Sequence, residues 1–134
     1  MTDTTIDVLL VDDFRDIVDV YRRLIDSSPG LRCVGTLDSV KDLVQHVESM
    51  HPHVVVIDLS MPGQKPLQAI ADLAERCPQV RAIAFSGYDD DDTIGAVLDA
   101  GAWGLVSKHR NPESILDAIR SVARGEAINN TGNR

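Results

Sequence analysis

Reactive side chains follow directly on short apolar runs at several places in this chain. Asp12-Asp13 follows Val8-Leu9-Leu10-Val11, Asp58 follows Val54-Val55-Val56-Ile57, and Ser86 follows Ala82-Ile83-Ala84-Phe85. Lys108 comes shortly after Gly104-Leu105-Val106. If those runs are parallel strands, their carboxyl ends lie side by side, and the acids, the hydroxyl and the amine share one edge. Carboxylates crowded into one cleft repel each other, so keeping them ionised calls for a cation. Mg²⁺ suits such a donor set, because it takes one or two carboxylates, keeps waters and accepts phosphate oxygens; Mn²⁺ can replace it. Lys108 adds a compact positive charge able to pair with Asp58 and then with a transferred phosphoryl group. The Ser86 hydroxyl can hydrogen-bond the same oxygens. A carboxylate nucleophile beside a metal and a lysine is one route to an aspartyl phosphate.

Each residue alone has a plainer reading. Asp12-Asp13 can be a solvated turn that caps a helix, Asp58 a strand end, Ser86-Gly87 a turn and Lys108 a surface lysine. Only their joint occurrence argues for a site. The run Asp89 to Asp92 is read as helix N-terminal charge and solubility rather than a second metal site. His46, His51, His53 and His109 lack ligand spacing, and His109 is read as an exposed loop residue bordering the pocket. Trp103 is read as packed, or placed at a partner surface.

The elements that must position these residues alternate along the chain. The strongest runs are apolar throughout, the pattern of strands buried on both faces. Leu31 to Gly35 and Gly104 to Val106 are weaker strand candidates. Five apolar stripes at helical spacing lie between and after them. These are Ile17, Val18, Tyr21, Leu24, Ile25; Val40, Leu43, Val44, Val47, Met50; Leu67, Ile70, Ala71, Ala74; Ile94, Val97, Leu98; and Ile115, Leu116, Ile119, Val122. Asp38 or Ser39 is expected to cap the second helix, Pro66 to occupy the first turn of the third, and Asn111-Pro112 to open the fifth. Gly30 and Gly101 fall where helices should stop. Strands alternating with helices in this way predict a doubly wound α/β fold with a parallel sheet. The polar stretch from Gly125 to Arg134 is expected to be disordered.

With 134 residues, 43% of them hydrophobic and 25% charged, the chain fits one ordinary globular domain. The net charge of −8 argues against direct contact with nucleic acid. No apolar run approaches the roughly 20 residues of a membrane span, and the start lacks a secretion signal, so a cytoplasmic location is expected. Cys33 and Cys77 are expected to be free thiols.

Taken together, Val11-Asp12-Asp13-Phe14, Ile57-Asp58-Leu59-Ser60-Met61-Pro62-Gly63, Phe85-Ser86-Gly87 and Val106-Ser107-Lys108 resemble the receiver domain of two-component response regulators over nearly the whole chain. The resemblance implies the flavodoxin-like (CheY-like) fold, with five strands in the order 2-1-3-4-5 and five helices. It implies that Asp58 is the phosphoacceptor for a sensor histidine kinase and that Ser86 and Lys108 bind the phosphoryl group. Asp13, Asp58 and the backbone carbonyl of Ser60 would bind Mg²⁺, with Asp12 acting mainly through a metal-bound water. Ser28-Pro29-Gly30-Leu31, Gly87-Tyr88-Asp89-Asp90 and Ser121 to Glu126 resemble the NarL/FixJ-like branch, whose members usually continue into a helix-turn-helix domain. The expected division is a receiver over residues 1–126 and a polar tail or linker start over 127–134, with no output domain. Phosphorylation is expected to change dimerisation or partner binding.

Three positions depart from the family pattern. Leu105 stands where an aromatic is common, with Trp103 two positions earlier. His109 follows Lys108 where proline is frequent, so no cis peptide is implied. Gln64-Lys65-Pro66 replaces the usual Asp-Gly after Met61-Pro62-Gly63. These departures motivate an alternative, an interaction module on the same fold that works without phosphorylation. An aspartate-based phosphatase is disfavoured, because Ser60 stands where such enzymes place a second acid.

Overall fold

The apolar runs become strands because their side chains alternate between two separate cores. A computed structural model of the chain describes residues 4–130. Its strands are β1 (Ile6–Val11), β2 (Leu31–Leu37), β3 (Val54–Asp58), β4 (Arg81–Ser86), β5 (Gly104–Ser107) and β6 (Ile128–Asn130). Its helices are α1 (Arg15–Asp26), α2 (Leu43–Met50), α3 (Pro66–Arg76), α4 (Asp91–Ala100) and α5 (Glu113–Ala123). Leu9, Val11, Val55, Ile57, Ala84 and Leu105 pack with α2, α3 and α4 on one side of the sheet. Val8, Leu10, Val54, Val56, Ile83, Phe85 and Val106 pack towards α1 and α5 on the other. Period-two alternation between two dry faces is why neither face shows polar residues in the sequence.

All strand pairs are parallel, and the sheet order is β2-β1-β3-β4-β5-β6. The first five strands have the order expected from the sequence. The sixth corrects the expectation of disorder from Gly125 onward, at least over Ile128–Asn130. Ile128 donates its N–H to the Trp103 carbonyl at 2.8 Å, and its side chain packs on the α1/α5 core. A Cβ on Gly104 would sit 2.0 Å from the Ile128 carbonyl oxygen, so β6 can approach β5 only because that residue is glycine. Residues 131–134 lie outside the described residues.

Register sets the height of the site. Val11 faces Ile57, Asp58 faces Phe85 and Ser86 faces Ser107, so the strand ends carrying the reactive groups finish level.

Several helix expectations need correction. Neither Asp38 nor Ser39 caps α2, which starts later, at Leu43 behind a left-handed Asp42. Ser39 Oγ instead accepts from Lys41 N–H, and the Gln64 carboxamide oxygen takes the Val40 N–H at 2.7 Å. The buried stripe of α3 is Ala69, Ile70 and Leu73, continued by Cys77, rather than Leu67, Ile70, Ala71 and Ala74. Alanine gives so weak an apolar signal that the stripe could be placed one residue off. Leu98 on α4 is likewise largely exposed. Pro66 does open α3, whereas α5 begins at Glu113, one residue later than expected, with Pro112 and not Asn111 at its N-cap. Asp90 caps α4 by accepting from Thr93 N–H and Oγ1, and those bonds lower its pKa. Both cysteines are free.

Two glycines, one inside α4 and one at its end, should respond oppositely to alanine. Gly101 ends α4 at φ 107°, and a Cβ there would lie 2.6 Å from the Ala74 Cβ, whereas Gly95 in the helix interior meets nothing within 4 Å. In urea denaturation Gly101→Ala should lose about 1–3 kcal/mol, while Gly95→Ala should gain about 0.5–1 kcal/mol. Equal effects of the two changes would contradict this placement.

Candidate functional site

At the carboxyl edge of the sheet, the loops after β1, β3, β4 and β5 converge. Asp12 and Asp58 are buried and Asp13 is exposed, and each offers a carboxylate oxygen lying within 4.8 Å of the others. The Lys108 Nζ stands 2.7 Å from Asp58 Oδ1, with the Asp58 side chain only 2% exposed and that of Lys108 28%. Four separate stretches therefore supply one pocket edge, Ser86 being the contribution of the β4 end beside Asp58 and Lys108.

One local device recurs at each of these strand ends. Asp12 Oδ1 accepts from Phe14 N–H at 2.9 Å and Asp58 Oδ1 from Ser60 N–H at 3.0 Å. Ser86 Oγ accepts from Tyr88 N–H at 2.9 Å and Ser107 Oγ from His109 N–H at 3.1 Å. A short oxygen-bearing side chain thus bonds its own backbone two residues on, which turns the chain out of the strand and fixes the side chain's aim. Backbone bonds tie the loops across the edge: Leu59 N–H donates to the Phe85 carbonyl at 3.0 Å and Lys108 N–H to the Ser86 carbonyl at 2.8 Å.

Charge crowding shows in the acids. Burial first, and the neighbouring Asp58 charge second among the raising causes, push Asp12 up from 3.8 to about 6, against opposing effects of the Phe14 N–H and Lys108. An ion beside these carboxylates would remove that penalty. The oxygens of an octahedral Mg²⁺ site lie about 3–4 Å apart, so the observed spread accommodates such an ion. Asp12, Asp13 and Asp58 are the carboxylates that could hold it. Ser60 borders the same spot through its N–H. Beside Asp12 lies a cleft of about 410 Å³, lined by Arg15, Asp19, Thr36 and Asp38 among others, which neither Asp13 nor Asp58 lines.

Other contributors were not singled out from the sequence. The Phe85 ring lies between Tyr21, edge-on at 5.1 Å and 75°, and the Lys108 ammonium, 5.4 Å from its centroid. The Tyr21 pKa is raised, chiefly by burial and then by the Asp12 charge. Period-two alternation from Ser86 would have placed Phe85 on the α1/α5 side; nothing in the sequence gave its distance to Lys108. Leu105 is fully buried among α3 and α4 side chains, and Trp103 stacks under the Arg81 guanidinium at 4.5 Å. The peptide after Lys108 is trans, as are all others among the described residues.

Comparison with known proteins agrees with this fold. Residues 8–120 match the family profile described as the response regulator receiver domain. The chain is 33% identical over 121 residues to the response regulator UvrY of Escherichia coli K12, covering 90% of this chain and 56% of that protein. It is 29% identical to the nitrate/nitrite response regulator NarL of the same strain, with the same coverage. It thus spans about half the length of the curated relatives it matches. A crystal structure of a LuxR-family two-component response regulator from Aurantimonas sp. SI85-9A1 superposes with a TM-score of 0.89 at 25% identity, covering 97% of this chain and 92% of the other. The isolated receiver domain of RcsB from Salmonella enterica, solved with phosphomimetic BeF3⁻, superposes at 0.83 with 22% identity, covering 94% of each chain, which bears on fold alone. The chain belongs to the response regulator receiver domain family.

Proposed function

We propose that this chain is a phosphorylation switch that takes a phosphoryl group on Asp58 from a sensor histidine kinase. The observation that carries the reading is the Lys108 amine at 2.7 Å from a buried Asp58, with two more carboxylates within reach of one ion. Asp58 would attack phosphorus as the bond to the donor histidine nitrogen breaks, and the freed imidazole would recover a proton. Asp13, Asp58 and the Ser60 carbonyl would hold Mg²⁺, with Asp12 acting through a bound water. When bound, that ion supplies positive charge beside the phosphoryl oxygens. Lys108 would leave its pairing with Asp58 for a phosphoryl oxygen, and the Ser86 hydroxyl would donate to another. Drawing Ser86 inward then shifts a pre-existing equilibrium of α4, β5 and α5.

The consequence proposed is altered homodimerisation or partner docking that regulates transcription in the cytoplasm, through a DNA-binding domain outside these residues. Similarity to response regulators and a transcriptional regulatory protein supports it. The receiver would occupy residues 1–126, with β6 extending it and the remainder entering a linker. No helix among the described residues is long and apolar enough to cross a membrane.

Two measurements test the reading. With Mg²⁺ and a small phosphodonor, intact mass should rise by one phosphoryl group in the wild type and not in Asp58→Asn. Labelling of the variant would refute the assignment, and an unlabelled wild type would favour the phosphorylation-independent module. The second concerns pH. Because the folded pKa of Asp12 lies above its ordinary value, protonation favours the metal-free fold at low pH, and that advantage fades as pH rises through about 6. Mg²⁺ must displace that proton, so its apparent affinity should drop about tenfold between pH 7.5 and 5. A Mg²⁺ titration read by thermal shift, flat across this range, would contradict it.

A further inference from the structure

The contact that the proposed chemistry leaves unused is the one made by His109. Its ring Nε2 lies 3.0 Å from the carbonyl oxygen of Gly87, across the gap between the β5–α5 and β4–α4 loops. A carbonyl only accepts, so Nε2 carries a hydrogen in this bond. Gly87 sits between Ser86, whose Oγ accepts from Tyr88 N–H, and Tyr88 itself. The His109 backbone is anchored in turn, its N–H donating to the buried Ser107 Oγ at 3.1 Å. The neighbouring Lys108 N–H donates to the Ser86 carbonyl at 2.8 Å. The segment 86–88 is therefore gripped by two successive residues of the other loop, and His109 provides the outer grip.

We propose that His109 is a positioning residue, a latch that holds the Ser86–Tyr88 segment in its resting place and so opposes the inward movement of Ser86. Its effect on phosphorylation rests on the function proposed above; the latch itself does not. Ser86 cannot turn its hydroxyl towards Asp58 without disturbing the bond its Oγ accepts from Tyr88 N–H, and Gly87 is the middle residue of that turn. A tether on the Gly87 carbonyl thus lies across the moving joint. The bond is exposed to solvent, so its net worth is at the low end for a hydrogen bond, and the expected bias is small but measurable.

The test compares wild type, His109→Ala and His109→Gln, whose carboxamide can donate to the same carbonyl. With Mg²⁺, titration with beryllofluoride followed by Trp103 fluorescence or NMR should give an apparent affinity about two- to fivefold tighter for His109→Ala, with His109→Gln near wild type. Without any phosphoryl mimic, the Tyr88 amide should exchange hydrogen faster in His109→Ala than in wild type, while amides in β1 and β3 keep their rates. Unchanged Tyr88 exchange, or weaker beryllofluoride binding by His109→Ala, would overturn the latch. A wild type that ignores beryllofluoride would defeat the proposed function instead, and Tyr88 exchange would still decide the latch.

Discussion

The ion pair between Lys108 and Asp58 is the constraint on which the rest of the molecule depends. Asp58 ends a fully buried strand, and a carboxylate there is tolerated only beside an opposite charge. Its amine partner lies 50 residues further along the chain, so the pair exists only once β3, β4 and β5 are assembled in register. Lys108 meets one carboxylate of a cluster of three, which leaves the cluster short of positive charge. Burial first, and the unneutralised Asp58 charge after it, raise the Asp12 pKa, and a cation beside the cluster would relieve both.

Precision at the site comes from backbone rather than from packing. Asp12, Asp58, Ser86 and Ser107 each bond the N–H two residues on, so four loops leave the sheet by the same turn. Two further residues join the loops in pairs. Gln64 reaches from the β3–α3 loop to the Val40 N–H before α2, and His109 reaches from the β5–α5 loop to Gly87. Both are positions where this chain departs from the usual family pattern. The departures change how neighbouring loops hold each other and leave the acids, the hydroxyl and the amine in place.

The strands were legible because a strand buried on both faces leaves a continuous apolar run, as in Val54 to Ile57. The clustering of Asp12, Asp13, Asp58 and Lys108 was legible because apolar runs end in or near these residues and parallel strands place such ends together. The α3 stripe was misplaced because Ala69, which faces the core, carries little hydrophobic signal, while the bulkier Leu67 is exposed. The start of α2 was missed because Gln64, 24 residues away, takes the Val40 N–H ahead of the helix, which then begins at Leu43 behind a left-handed Asp42 instead of at Asp38 or Ser39. Local capping rules cannot see a distant partner. The Phe85 contact with Lys108 and the His109 contact with Gly87 escaped for the same reason, since each joins loops separated in sequence.

The short strand β6 has a consequence for how the molecule behaves among its own copies. A bare β5 would offer a row of open backbone donors and acceptors to any passing extended chain, a template for aggregation. Among the described residues, Ile128–Asn130 occupies that row. Gly104, by having no side chain, is what lets β6 cover that margin of the sheet.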